Sequence, residues 1–423
     1  MFKEIFLFEI SYRLKRPATY IYFIVFFALA FLFILLAGGA FNGVDLALPG
    51  GGGKVLANSP FMINSLISGL CFIGTIIIAA IVGDAVYKDF EYGTHALFFT
   101  KPISKFDYLG GRFLGAAVIA LLVFTGAAFG IMVGSFMPWL DASKIGAFHL
   151  MYYVQPYLIF VIPNLLFIGI IFFAAATLSR NMLSVYVGSI LFLVLYGVSK
   201  SLLANINNDF IAGLLDPFGG MAMRSITKYW TVSEKNSLIA PFSSLLMLNR
   251  VLWLCIGAII FGFTYFKFRF DQFSSELRST KKRLKITEVK ERIGKIILVP
   301  VSQNFSAKAQ FLQLLQQIKL EFLSIIKSIY FIAIVFAGMV FLFVSGAQVG
   351  KIYDTNTFPV TGMVLEILAG SFYLFVLIII IFYSGELVWK ERELKISQIY
   401  DALPINDRSP FISKLFALIL VQV

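Results

Sequence analysis

Apolar residues in this chain come in blocks rather than in alternation with polar ones. Runs of about 20 residues are long enough for a helix rising 1.5 Å per residue to cross about 30 Å of hydrocarbon. Such runs fall at Ala18–Ala37, Phe61–Val82, Phe113–Phe136, Tyr157–Leu178, Met182–Leu203 and Val251–Phe266. Two more follow a polar break, at Ile329–Val344 and Met363–Tyr383. Barrel strands would be shorter and would alternate in polarity, so the pattern predicts an all-α polytopic membrane protein. A last run starts at Phe411 and is still apolar at Val423. It is too short to span, and predicts a helix that continues in a longer natural chain.

Ahead of two of these runs the period changes. Residues Phe311, Leu314, Leu315, Ile318, Phe322, Ile325, Ile326 and Ile329 form one stripe at helical spacing, with Gln, Lys and Glu opposite. Such a helix before a span is expected to lie along the membrane surface. The N-terminus has a cruder version, with Phe2, Ile5, Phe6 and Ile10 on one face and Lys3, Glu4 and Arg13 on the other. The polar stretch Asp271–Gln310, with Lys281-Lys282-Arg283, reads as a linker. The predicted organisation is therefore a six-span bundle over 1–270, a basic linker over 271–310, and the first part of a second bundle over 311–423, truncated in its third span.

Composition removes the soluble alternative. The chain is 59% hydrophobic and 14% charged, where soluble domains average about 45–50% and about 25%. The first run is too long and aromatic for the core of a signal peptide and reads as a retained span. Cys71 and Cys255 both fall inside apolar runs and read as small core residues rather than a disulfide. With the N-terminus inside, 27 of the 35 lysines and arginines fall on the inner side, the bias expected of cytoplasmic loops. The expected location is a bacterial cytoplasmic (inner) membrane. A basic inner face against anionic headgroups accounts for the net charge of +12 without nucleic acid.

The chain also repeats itself. Placing Ile76–Val118 above Ile378–Leu420 without a gap matches Gly83, Val86, Lys88, Glu91, Pro102 and Ile103 to Gly385, Val388, Lys390, Glu393, Pro404 and Ile405. Asp84 meets Glu386, Asp89 meets Glu391, and Arg112 meets Lys414. Both copies sit where the second span of a block ends, and each carries a charged stretch with an interfacial aromatic before a proline turns the chain back. One copy alone reads as a solvated loop. Two copies with one charge pattern point to a docking element, in two bundles of parallel-repeat type.

Lys88-Asp89-Phe90-Glu91-Tyr92-Gly93-Thr94, followed by Pro102-Ile103-Ser104 and Arg112, resembles the segment after the second span in type-2 ABC exporter permeases. The resemblance covers 1–270 fully and 311–423 in part, as in long fused permeases of two modules. It implies a coupling helix resting in a groove of a separate ABC ATP-binding subunit, with Asp89, Glu91, Gly93, Thr94 and Pro102 at the contact. In the second copy Glu391, Glu393 and Pro404 persist, while Lys395-Ile396 replaces the Gly-Thr pair. ATP and magnesium are then expected on the partner, with no cofactor in this chain.

No catalytic or metal constellation is visible. His95 and His149 are the only histidines, too few and too far apart for a metal site with the two cysteines. Gly50-Gly51-Gly52-Gly53-Lys54 lacks the spacing of a phosphate loop. Asn64, Asn164 and Glu366 are polar groups inside or near spans. They either line a substrate path between the bundles or hydrogen-bond between helices. Asn164, next to Pro163, is expected at a kink, satisfying a freed backbone carbonyl. The outer stretch Asn205–Asn249 is expected to fold as an interfacial helix pair. The alternative to an exporter is a non-transporting membrane scaffold or anchor with a permease-like fold.

Overall fold

The computed structural model describes residues 1–41, 55–203, 208–241, 243–269, 306–347, 351–352, 355–356, 360–393, 396–402 and 408–422. The stretch Gly50–Lys54, most of the linker, Lys395 and Pro404 lie outside them. The chain divides into two compact units, Met1–Phe273 and Ser274–Val423. The fold is all-α and polytopic: seven helices among the described residues are long and apolar enough to cross a membrane. Apart from a two-residue hairpin pairing Lys351–Ile352 with Thr355–Asn356, the described residues hold no strand.

In the first unit the lead-in helix α1 (Phe2–Leu14) precedes α2 (Pro17–Ala37) and α3 (Pro60–Val82). Next come α4 (Asp84–Glu91), α5 (His95–Phe99) and α6 (Lys105–Ser135). The fourth span runs through α7 (Leu150–Pro156), one π turn over Tyr157–Val161, and α8 (Ile162–Ser179). After α9 (Met182–Leu203) the described residues of the stretch expected as a helix pair form three short helices instead: α10 (Asp209–Leu215), α11 (Gly220–Thr227) and α12 (Val232–Ser237). The span α13 (Ser244–Lys267) closes the unit.

Local chemistry sets where these helices begin. Ser59, Ser104 and Ser243 each accept a hydrogen bond from a backbone N–H three residues on, which satisfies a donor the helix start leaves open. Pro17 and Pro60 occupy first-turn positions, where their missing N–H costs nothing. Because Ser104 is the cap, α6 starts eight residues before the apolar run at Phe113. Gly83 keeps helical angles, φ −62° and ψ −36°, so α3 continues into α4 as one 32-residue rod, Pro60–Glu91.

The core is built around α3, α6 and α8. Two thirds of the α8 span (67%) is buried inside the protein, against 22% of α13. Phe26, Phe124, Phe160, Phe172 and Phe173 are buried, while Tyr20, Ile24, Ile259 and Phe263 point outward and stay exposed, as lipid-facing positions do. Cys71 is buried as expected; Cys255 is exposed, so its reading as a core residue is corrected.

Lipid is as apolar as leucine, so helices gain little from mere burial and depend on close van der Waals approach and polar pairs. Helix α6 meets α2 along Gly126, Gly130 and Gly134, spaced four apart. A Cβ at Gly126 or Gly130 would strike the carbonyl oxygen of Phe23 or Phe27. These are backbones in direct contact, which no side-chain rotation relieves.

In the second unit a lead-in helix, Ala307–Ile326, bends by 60° into Ile329–Ala347. Then come the 33-residue helix Thr361–Glu393, the short Ser397–Asp401, and Arg408–Gln422.

Gly130→Leu is expected to lower stability by at least about 1–3 kcal/mol. Gly69→Leu, at a glycine with open space around it, should be near neutral. Thermal unfolding in detergent checks both; equal midpoints would remove the close α2–α6 contact from the account.

Candidate functional site

Helix α1, the α4–α5 segment and the first turns of α6 converge at the end of the first unit that carries the N-terminus. Arg112 stands about two turns into α6 and is 4% exposed. Its Nη1 donates to Glu9 Oε2 at 2.6 Å and its Nη2 to Asp89 Oδ1 at 2.7 Å. The other Glu9 oxygen is taken by Arg13 Nε. The other Asp89 oxygen accepts from the Tyr108 hydroxyl at 2.7 Å. Thr94 Oγ1 donates to Asp89 Oδ1 at 3.3 Å, and His95 Nδ1 lies 3.1 Å from the Asp89 carbonyl. Two acids and two arginines thus form a buried cluster of zero net charge.

The local fold explains how such a cluster sits in an apolar bundle. A Cβ at Gly115 would lie 2.7 Å from Glu9 Cβ, so glycine there lets α1 lie flat on α6. The rings of Phe8 and Phe98 cover the guanidinium, with its carbon 5.4 and 5.2 Å from their centroids. Arg112 Nε is the one guanidinium nitrogen of the four-charge cluster that is both buried and without a partner among the described residues. Beside the cluster a cleft of about 480 Å³ opens, lined mainly by Phe8, Tyr12, Lys88, Leu97, Lys101 and Ile103.

The structure separates the residues of the resemblance. Asp89 is buried and held by three partners within the chain. Glu91 ends α4 and is exposed, as are Gly93, at φ +68°, and Pro102; Thr94 is half-buried. Glu91 and its neighbours therefore form the outward face of a segment whose inner anchor is Asp89.

The second unit reproduces part of this arrangement. Lys414 Nζ lies 2.6 Å from Glu391 Oε1, and these are the residues that the repeat sets opposite Arg112 and Asp89. Glu321, like Glu9, stands six residues before the lysine that closes its lead-in helix. It pairs at 3.5 Å with Lys390 instead of Lys414. Glu393 is the last residue of its helix, and Pro404 is outside the described residues.

Sequence reasoning missed Glu9 and put Arg13 on the polar face of α1; both are buried. Their i, i+4 spacing and the matching place of Glu321 were the available signals. The expected role of Asn164 is also corrected. Its amide donates across to the Phe218 carbonyl at 3.3 Å, and its oxygen accepts from Arg250 Nη1 at 2.8 Å. The irregularity nearby is the π turn, so Asn164 pins the connection between α9 and α13 instead of mending a kink. Asn249 assists, donating to the carbonyls of Gly213 at 2.7 Å and Asp216 at 2.8 Å. Asn64 is buried near the opposite end of α3 from Asp84, and Glu366 is exposed within its own unit.

No protein-family model matches the chain, and no curated protein matches it. Among the described residues no group of His, Cys, Asp and Glu is placed to hold a metal ion.

Removing one partner from a buried pair strands the other charge, at a cost of about 3–5 kcal/mol. Arg112→Met should therefore destabilise the protein strongly, and adding Asp89→Asn, which leaves Glu9 paired with Arg13, should recover most of the loss. Lys414→Met should cost less, since its pair is about 15% exposed on each side. Unfolding midpoints of the four proteins test this; a double variant no better than Arg112→Met alone would contradict it.

Proposed function

We propose that this chain is the permease subunit of an ATP-driven exporter of the ABC type, set in a bacterial cytoplasmic membrane with its N-terminus inside. ATP is bound and hydrolysed by a separate chain. The observation that carries this reading is the repeated ion pair. Asp89–Arg112 and Glu391–Lys414 each tie the segment after a second span to the start of a third. A segment that only connects two spans has no need of such an anchor. A segment that is pushed or pulled does, because force applied outside passes to the span only through a stiff joint.

In this mechanism the ATP-binding partner docks on the exposed residues around Glu91, and the cleft rimmed by Lys88 and Lys101 receives side chains from it. Closure of the partner on ATP displaces α4–α5. The cluster hands that displacement to α6 through Arg112 and to α1 through Glu9, in a rigid-body transition. In the second unit Glu391 and Lys414 do the same for Arg408–Gln422. Lipids surround the exposed faces of the helices.

The test is co-purification from gently solubilised native membranes, with bound chains identified by mass spectrometry. The wild type should bring down a nucleotide-binding subunit, and Glu91→Arg with Glu393→Arg should lose it while staying folded. The absence of any ATPase from the wild-type sample would overturn the exporter reading and favour a membrane scaffold.

A further inference from the structure

At the end of the first unit far from α1, a second cavity of about 530 Å³ lies among the start of α3, the end of α9 and α11. That is within the usual size of small-molecule sites, about 300–1,000 Å³. Lys200, Arg224, Lys228 and Lys235 line it, against a single acid, Asp216. Asp216 is already engaged: its two oxygens accept the backbone N–H groups of Phe218 at 3.0 Å and Met221 at 2.7 Å. Lys228 pairs at the rim with Asp209, and Lys235 rests over the Phe61 ring. Lys200 and Arg224 are exposed and make no ion pair among the described residues. The lining thus carries an excess of positive charge with two cations open to a ligand.

A second observation concerns the wall. Asn64 lines the cavity and is 1% exposed. Its Nδ2 donates to the Pro60 carbonyl at 2.8 Å, but its Oδ1 has no hydrogen-bond partner among the described residues. Buried acceptors are rarely left empty, and Asn64 belongs to the wall that a ligand in this cavity would touch. Phe61, Met221 and Met223 make part of the lining apolar.

We propose that this cavity binds a phosphate group bearing a neighbouring hydroxyl, the chemistry of a glycerophosphate. The phosphate sits against Lys200 and Arg224, the latter suited to paired hydrogen bonds with its oxygens. The hydroxyl donates to Asn64 Oδ1. An anionic phospholipid headgroup and a soluble phosphate ester both present these groups. The site does not rest on the transport reading, and binding is measured without any ATPase.

The experiment uses the delipidated protein in detergent. In one arm, native mass spectrometry follows retention of dioleoyl phosphatidylglycerol, dioleoyl phosphatidic acid and dioleoyl phosphatidylcholine. In the other, calorimetry follows binding of glycerol 1-phosphate. Phosphatidylglycerol should be retained over phosphatidylcholine if the source is lipid, and glycerol 1-phosphate should bind if the source is soluble. Lys200→Gln with Arg224→Gln should weaken the bound probe at least tenfold, while Lys144→Gln, outside the cavity, should change nothing. Phosphatidic acid lacks the headgroup hydroxyl, so Asn64→Leu should erase the preference for phosphatidylglycerol over it without abolishing both, which a folding defect would do. Binding of neither probe, equal retention of phosphatidylcholine, or an unaffected Lys200/Arg224 variant would overturn the proposal.

Discussion

Arg112 is a guanidinium held inside an apolar bundle, and such a charge is tolerable only with its counter-charges in place. Glu9 comes from the lead-in helix, Asp89 from the segment after the second span, and Arg112 from the third span, α6. One side chain thereby fixes three separate stretches of chain to each other. Hydrophobic burial cannot do this alone in a membrane, since a helix loses little by exchanging a protein neighbour for lipid. The glycines of α6 act in the same direction, because they bring its backbone onto that of α2.

The two units solve this constraint with different strength. In the first, Arg112 bridges both acids and is nearly inaccessible. In the second, two lysines divide the work, Lys414 on Glu391 and Lys390 on Glu321, and both pairs are more exposed. Lysine is a point charge where arginine is a planar fork able to bridge two carboxylates. The substitution of Lys for Arg at the third-span position therefore accounts for the split. The first unit has the stiffer joint, and in the proposed mechanism it transmits the larger share of any motion imposed from outside.

Much of this was legible in the sequence, and the reasons are physical. Span positions follow from hydrocarbon thickness, and the repeat follows from residues that recur at one offset. The pairing of Asp89 with Arg112 was visible only as a shared charge pattern, since which face of a helix points inward is set by tertiary packing. For the same reason Glu9 escaped notice and Arg13 was put on the polar face. Amphipathic reading puts charges outward, and here a buried pair occupies the inner face. The Asn164–Phe218 contact joins residues 54 positions apart. It depends on a π turn and on the course of the connection between α9 and α13, and neither has a periodicity to read. The capping serines, by contrast, were readable in principle and would have placed the start of α6 correctly.

The central claim is that the exposed face around Glu91 is where an ATP-binding chain acts on this protein. A photo-crosslinking amino acid placed at position 91 in native membranes tests it most directly, with a second probe at Trp139, exposed beyond the far end of α6, as the reference. The account predicts a covalent adduct from position 91 to a nucleotide-binding subunit, with a yield that changes when ATP is added, and none from position 139. Adducts from position 91 that contain only lipid, or an ATPase captured equally well from position 139, would contradict it.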